Sequence, residues 1–97
     1  VRTVIEQPRV SRALDDAKER WARAQDAWDT ILWVIAHDPE GAGMALTESG
    51  ATRSFTLDGA RSIKLPTVTV LYESRLFEVV IHDAMFTDAK FAQAGRA

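Results

Sequence analysis

The sequence predicts an α+β domain, with a helical hairpin (or one long helix) packed on a small, mainly antiparallel β-sheet. Three observations carry that expectation. Apolar residues recur at alternating three- and four-residue intervals from Val10 to Ile35, the stripe of an amphipathic helix. After Thr52 the hydrophobic period falls to two, the signature of strands with one buried face. Between two such runs stands Asp58-Gly59, a strong hairpin-turn dipeptide.

Taken in order, Thr3 to Gln7 is a short β-prone segment halted by Pro8. Ser11 is placed to cap a helix whose first turn carries Asp15 and Asp16. The stripe Val10, Leu14, Ala17, Trp21, Ala24, Trp28, Ile31 and Ile35 follows, with Asp16–Arg20 and Glu19–Arg23 spaced as favourable pairs on the other side. Asp38-Pro39 ends the helical region, because a residue before proline is pushed out of the α conformation. A single rod from Ser11 to His37 would be ~40 Å long and would overhang a domain of this size. The expectation is therefore either a break between Trp21 and Gln25 or a helix that projects towards a partner. Glu40 to Gly43 and Thr47 to Ala51 read as loops. Four strands then follow as a meander: Arg53–Leu57, Ala60–Leu65 folding back across Asp58-Gly59, Thr67–Glu73, and Leu76–His82 after a Ser74-Arg75 turn. Phe77, Val79 and Ile81 share one face of the last strand, with His82 on the other and Asp83 back on the first. Thr87 to Ala97 is expected to add a short helix or to fray. Leu14, Trp21, Trp28, Ile31 and Ile35 should pack against Phe55, Ile63, Val70 and Val79.

Length and composition bound the rest. The 97 residues suffice for one domain, 1–97, and nearly half of them are hydrophobic. There is no cysteine, which removes disulfides and thiolate metal sites and fits a reducing compartment. The longest apolar run, Ile31 to Ala36, is far short of a bilayer span, and Val1-Arg2-Thr3 opens no signal-peptide pattern, so the expected location is the cytoplasm. The formal charge of −2 excludes a strongly basic nucleic-acid binder. A local basic patch is still compatible with Arg53, Arg61, Lys64 and Arg75, which face only Asp58 and Glu73 in that stretch.

Five side chains are candidates for chemistry and one for binding. If Asp58-Gly59 turns a hairpin, Thr56 pairs near Arg61 and Arg53 falls roughly opposite Lys64. The three cations would then either hold a phosphate and stabilise a phosphorane or serve as edge-strand charges against aggregation. Arg75 extends the same substrate-binding set. His82 is a candidate general acid or base, or a solvent-facing residue at a strand end. His37 is explained by a helix C-terminus, where a cation meets the dipole favourably. Trp33 lies off the buried stripe, which suits either broad burial or a partner-binding surface. His82-Asp83 has no third ligand at useful spacing, so neither metal nor cofactor is expected.

The order of strand, helical region ending in Asp38-Pro39-Glu40-Gly41, and a meander carrying Leu71-Tyr72-Glu73 and Glu78-Val79-Val80-Ile81 resembles the RelE/ParE superfamily of bacterial toxins, over residues 3–83. The resemblance implies helices on a curved antiparallel sheet, an antitoxin partner, and action either on ribosome-bound mRNA or on gyrase. In the ribonuclease branch, arginines, lysines and a C-terminal Tyr or His act without metal. Arg61, Lys64 and His82 would be the catalytic set here, with Arg53 and Arg75 on substrate. The chain departs from the family's pattern at Thr69 and Phe86, where arginines are common. The alternative is a non-enzymatic interaction module, resembling either a gyrase poison or an inactive toxin homologue. A single concave basic site containing His82 would favour the enzyme; cations spread over opposite faces would favour the module.

Overall fold

The computed structural model describes residues 2–89. It places two helices on one five-stranded, mostly antiparallel sheet, in an α+β arrangement. The elements run β1 (Thr3–Glu6), α1 (Pro8–Arg20), α2 (Ala24–His37), α3 (Pro39–Ala42), β2 (Met44–Ala45), β3 (Thr52–Leu57), β4 (Thr67–Ser74) and β5 (Glu78–Thr87). Sheet order is β1-β5-β4-β3-β2, so the first strand lies beside the last, parallel to it, with Thr3 to Glu6 against Glu78 to Ile81. No helix among the described residues is long and apolar enough to cross a membrane.

The helical region breaks at Trp21, whose backbone is extended, and α1 and α2 pack on each other and on the sheet. Two helices of 13 and 14 residues are each about 20 Å long. They fit within principal extents of 38 × 30 × 22 Å, where a single rod would not. The helix start differs from expectation: α1 opens at Pro8, with Gln7 at the cap position and Ser11 exposed within the first turn. Proline is preorganised for the first helical position, where its missing N–H costs nothing. Arg20 does not pair with Asp16; its guanidinium lies over the Trp21 ring, 4.3 Å from the centroid.

The core forms where the helical stripe meets β4 and β5. Val10, Leu14, Trp28, Ile31 and Ile35 pack with Val68, Val70, Tyr72, Val79 and Ile81, and Phe55, Leu57 and Phe86 close its margins. Trp21 joins Ala17 and Ala24 in a smaller cluster that also contacts Phe86.

Three expectations about the sheet are overturned. Asp58-Gly59 does not turn a two-strand hairpin. Residues Ala60 to Leu65 instead form a closed loop with a 3-10 turn at Arg61–Ile63, and β3 pairs directly with β4, Leu57 opposite Val68. Gly59 is buried against the Leu65 and Pro66 backbone, where a Cβ would collide, and its N–H donates to Thr67 Oγ1. Ile63 is consequently on the surface rather than in the core. Secondly, β5 begins at Glu78, leaving Leu76 and Phe77 in the connecting loop at 77% and 80% exposure. Thirdly, β5 carries a bulge. Ile81 faces Tyr72 and Asp83 faces Leu71, so His82 is an extra residue without a partner on β4. Beyond it the core-facing side chains change parity, from Val79 and Ile81 to Ala84 and Phe86. The last strand also runs past its expected end at His82, to Thr87, so Thr87 is strand rather than tail; residues 90–97 of the expected tail lie outside the described residues.

Candidate functional site

The structure separates the five candidates for chemistry into three places. Arg53 sits on β3 opposite Tyr72, on the helix-facing side of the sheet, and not near Lys64. Its guanidinium donates to the carbonyl of Gly43 (2.6 Å) and of Gly50 (3.3 Å), and its Nε is buried with no partner among the described residues. Arg53 therefore ties the α3–β2 turn and the loop before β3 to the sheet. That engagement, forced by pairing β3 with β4, removes it from any substrate-binding set.

Beside it the two segments that carried the family resemblance meet. Tyr72, fully buried, donates its hydroxyl hydrogen to the Pro39 carbonyl, while the Asp38 side chain accepts from Gly41 N–H at 3.1 Å. Burial pushes the Tyr72 phenol above its usual range, against the opposing influence of Arg53. Arg2 completes this corner, bridging Ser74 Oγ and the Glu40 carboxylate at 2.6 Å each. That salt bridge holds Glu40 below the ordinary carboxylate range.

The second place is the β4–β5 turn. Glu73 accepts from Arg75 Nε at 3.0 Å and lies 3.2 Å from His82 Nε2, and Arg75 also donates to Glu78 at 3.1 Å. Arg75, followed by His82, lowers the Glu73 carboxyl below its usual value, and the two glutamates raise Arg75. A guanidinium committed to two carboxylates has little left to offer a phosphate. The bulge also revises the expectation that Asp83 faces away from His82: Asp83 pairs with Leu71 on the side opposite Tyr72, the same open face on which His82 reaches Glu73. No group of three or more His, Cys, Asp or Glu able to hold a metal forms among the described residues.

Arg61 and Lys64 occupy the third place, at the opposite end of β4. Glu73 is six residues along the strand from Thr67, about 20 Å away, so His82 stands far from both. They do converge with a residue the sequence reading missed. Arg20, Trp21, Arg61, Lys64, Leu65 and Asp88 line a depression of about 290 Å³. Trp21 Nε1 donates to Asp88 Oδ1 at 3.0 Å, and Lys64 O accepts from Arg23 N–H at 3.1 Å, which ties the loop to the α1–α2 turn. The signal for Arg20 was its place as the last residue before the helix break, but that break had no glycine or proline to locate it.

A groove of about 410 Å³ adjoins this pocket, sharing Arg20 and Trp21 and running between Ala13 and Ala17 of α1 and Met85 and Phe86 of β5. Along it β5 continues past the end of β1, so from His82 to Thr87 its outer edge has no strand partner among the described residues. The Ala84 N–H there is met by the carboxylate of its own neighbour Asp83, at 2.9 Å. Trp33, the candidate partner-binding residue, is 63% exposed and stacks on His37 with ring centroids 4.1 Å apart. His37 in turn donates from Nδ1 to the Trp33 carbonyl at 2.8 Å, a helix-end contact that accounts for it without chemistry. Compared with known protein families, curated proteins and solved structures, the chain matches none.

Proposed function

We propose that this chain is a non-enzymatic protein-interaction module of RelE/ParE-like toxin type, held by a partner polypeptide along the outer edge of β5 and the groove beside α1. The observation that carries the reading is that edge. Six residues of strand, His82 to Thr87, present main chain with no strand beside it among the described residues, next to a groove with the apolar walls Ala13, Ala17, Met85 and Phe86. An extended peptide added there gains main-chain hydrogen bonds from the strand and side-chain contacts from the helix. The dispersal of the cations supports the same reading, since phosphate-binding and proton-transferring groups stand about 20 Å apart. An antitoxin-like polypeptide is the partner this reading calls for, and exposed Trp33 offers it a second anchor.

The endoribonuclease reading rests on Arg61 and Lys64 alone and would need another proton carrier than His82. Co-expression with the polypeptide encoded by the adjoining reading frame separates the two. A complex should form in which amide exchange slows at Asp83 to Phe86, and Ala13→Arg, which fills the groove from the half-buried outer flank of α1, should release the partner while leaving the melting temperature within a few degrees. Cleavage of ribosome-bound mRNA by the isolated chain, lost in Arg61→Ala, would replace the module by the nuclease.

A further inference from the structure

We infer that the pocket between Arg20, Arg61 and Lys64 is a binding site for a phosphate monoester or free phosphate dianion. Three cations from two remote segments, the end of α1 and the loop between β3 and β4, line one concavity of about 290 Å³. None of the three forms an ion pair among the described residues, although Lys18, Arg23 and Arg75 all do. Three like charges gathered around a single counter-charge, Asp88, still repel one another, and an anion between them removes that cost. The Asp88 carboxylate, which also lines the pocket, offsets one of the three charges, leaving two. That balance fits the roughly −1.5 to −2 charge of a monoester better than the single charge of a diester.

The aromatic side chain in the pocket argues against a stacked base. Trp21 has one face under the Arg20 guanidinium and its indole N–H committed to Asp88, and the residue is only 9% exposed. A nucleobase would have no platform, so recognition falls on the oxyanion itself. Lys64 provides a handle on the pocket. Its backbone is left-handed, φ 55°, the only non-glycine residue described with positive φ. Such conformations are uncommon outside Gly, Asn and Asp; this one caps the 3-10 turn Arg61–Ile63 and turns Lys64 back at the pocket's edge of the loop. Here lysine stands where glycine would fit the backbone better.

That mismatch provides the test. In thermal melts at pH 7.5, inorganic phosphate should raise the melting temperature by about 4 °C or more beyond chloride at matched ionic strength, once it is well above its dissociation constant. Lys64→Gly, which relaxes the backbone while deleting the charge, should melt no lower than the parent and lose most of the phosphate response. Arg61→Gln should lose it likewise. At pH 5.5 the response should shrink, because inorganic phosphate has taken up its second proton there and is almost wholly the monoanion. Phosphoserine and a nucleoside monophosphate, tried separately, identify which monoesters are admitted beside the free anion. Equal shifts with phosphate and chloride, or a full phosphate response in Lys64→Gly, would overturn the assignment. A 5′-hydroxyl RNA oligomer that stabilises as well as phosphate does would overturn it in favour of a nucleic-acid backbone surface.

Discussion

Tyr72 shows how one side chain is fixed by sequence pattern and then used differently from its neighbours. Alternation along β4 places it inward with Val68 and Val70, but its hydroxyl must find a partner there, and the Pro39 carbonyl supplies one. Burial raises its pKa above the ordinary value of 10.0, so the folded state holds the proton more tightly than the unfolded chain. The resulting contribution to stability is complete below about pH 10 and is lost as pH rises through the folded pKa. As the sole tyrosine, it can be followed directly by ultraviolet absorbance. Ionisation should lag behind that of free tyrosine and coincide with loss of folded structure at alkaline pH. Tyr72→Phe should remove that coincidence and cost about 1–3 kcal/mol in urea melts, since the Pro39 carbonyl is left buried without its donor. Arg53 is the contrasting residue. Its type and spacing suggested phosphate binding, yet its guanidinium is spent on the Gly43 and Gly50 carbonyls. Composition cannot tell a cation that faces ligand from one that faces backbone; strand pairing decides it.

Strands and helices differ in how far they could be read. The stripe from Val10 to Ile35 placed α1 and α2 and nearly the whole helical half of the core, because a 3.6-residue period survives a short break between helices. Two local signals misled. Asp58-Gly59 is turn-prone, but Pro66 and the buried Gly59 close the chain into a loop instead of a second hairpin arm, and that took Arg61 and Lys64 away from Arg53. The bulge in β5 was invisible, because an inserted residue leaves no compositional mark and the apolar run Val79 to Ile81 is buried on both faces, with no alternation to show a change of parity. That bulge yields an unusual expectation. Deleting one residue from a strand ordinarily turns every following side chain to the wrong face. Deleting His82 should instead leave a regular ladder, with Ile81, Ala84 and Phe86 still facing the helices, because β4 has no counterpart to it. Thermal melts should show the His82 deletion folded and cooperative and a Val80 deletion largely unfolded. If both deletions unfold alike, His82 does more than occupy the bulge.

At the scale of the whole molecule, stability rests on one interface between two helices and one sheet, and Trp28 is the largest fully buried side chain in it. Its indole N–H has no partner among the described residues, so what it contributes is packing. Trp28→Ala should cost about 3–5 kcal/mol, a large share of the roughly 5–15 kcal/mol that a small domain possesses, and denaturant melts should register it as a lowered midpoint. The candidate sites lie around this interface: the oxyanion pocket at the α1–α2 turn, the charged cluster at the β4–β5 turn, and the open β5 edge between them. The parallel pairing of β1 with β5 has a consequence for how the molecule is made. During synthesis Thr3 to Glu6 leave the ribosome well before Glu78 to Ile81, the strand that defines their place in the sheet. Until then α1 and α2 carry an apolar stripe with no β4 or β5 to cover it. Such a nascent chain is exposed to aggregation and is a natural client for a chaperone, or for a partner translated alongside it.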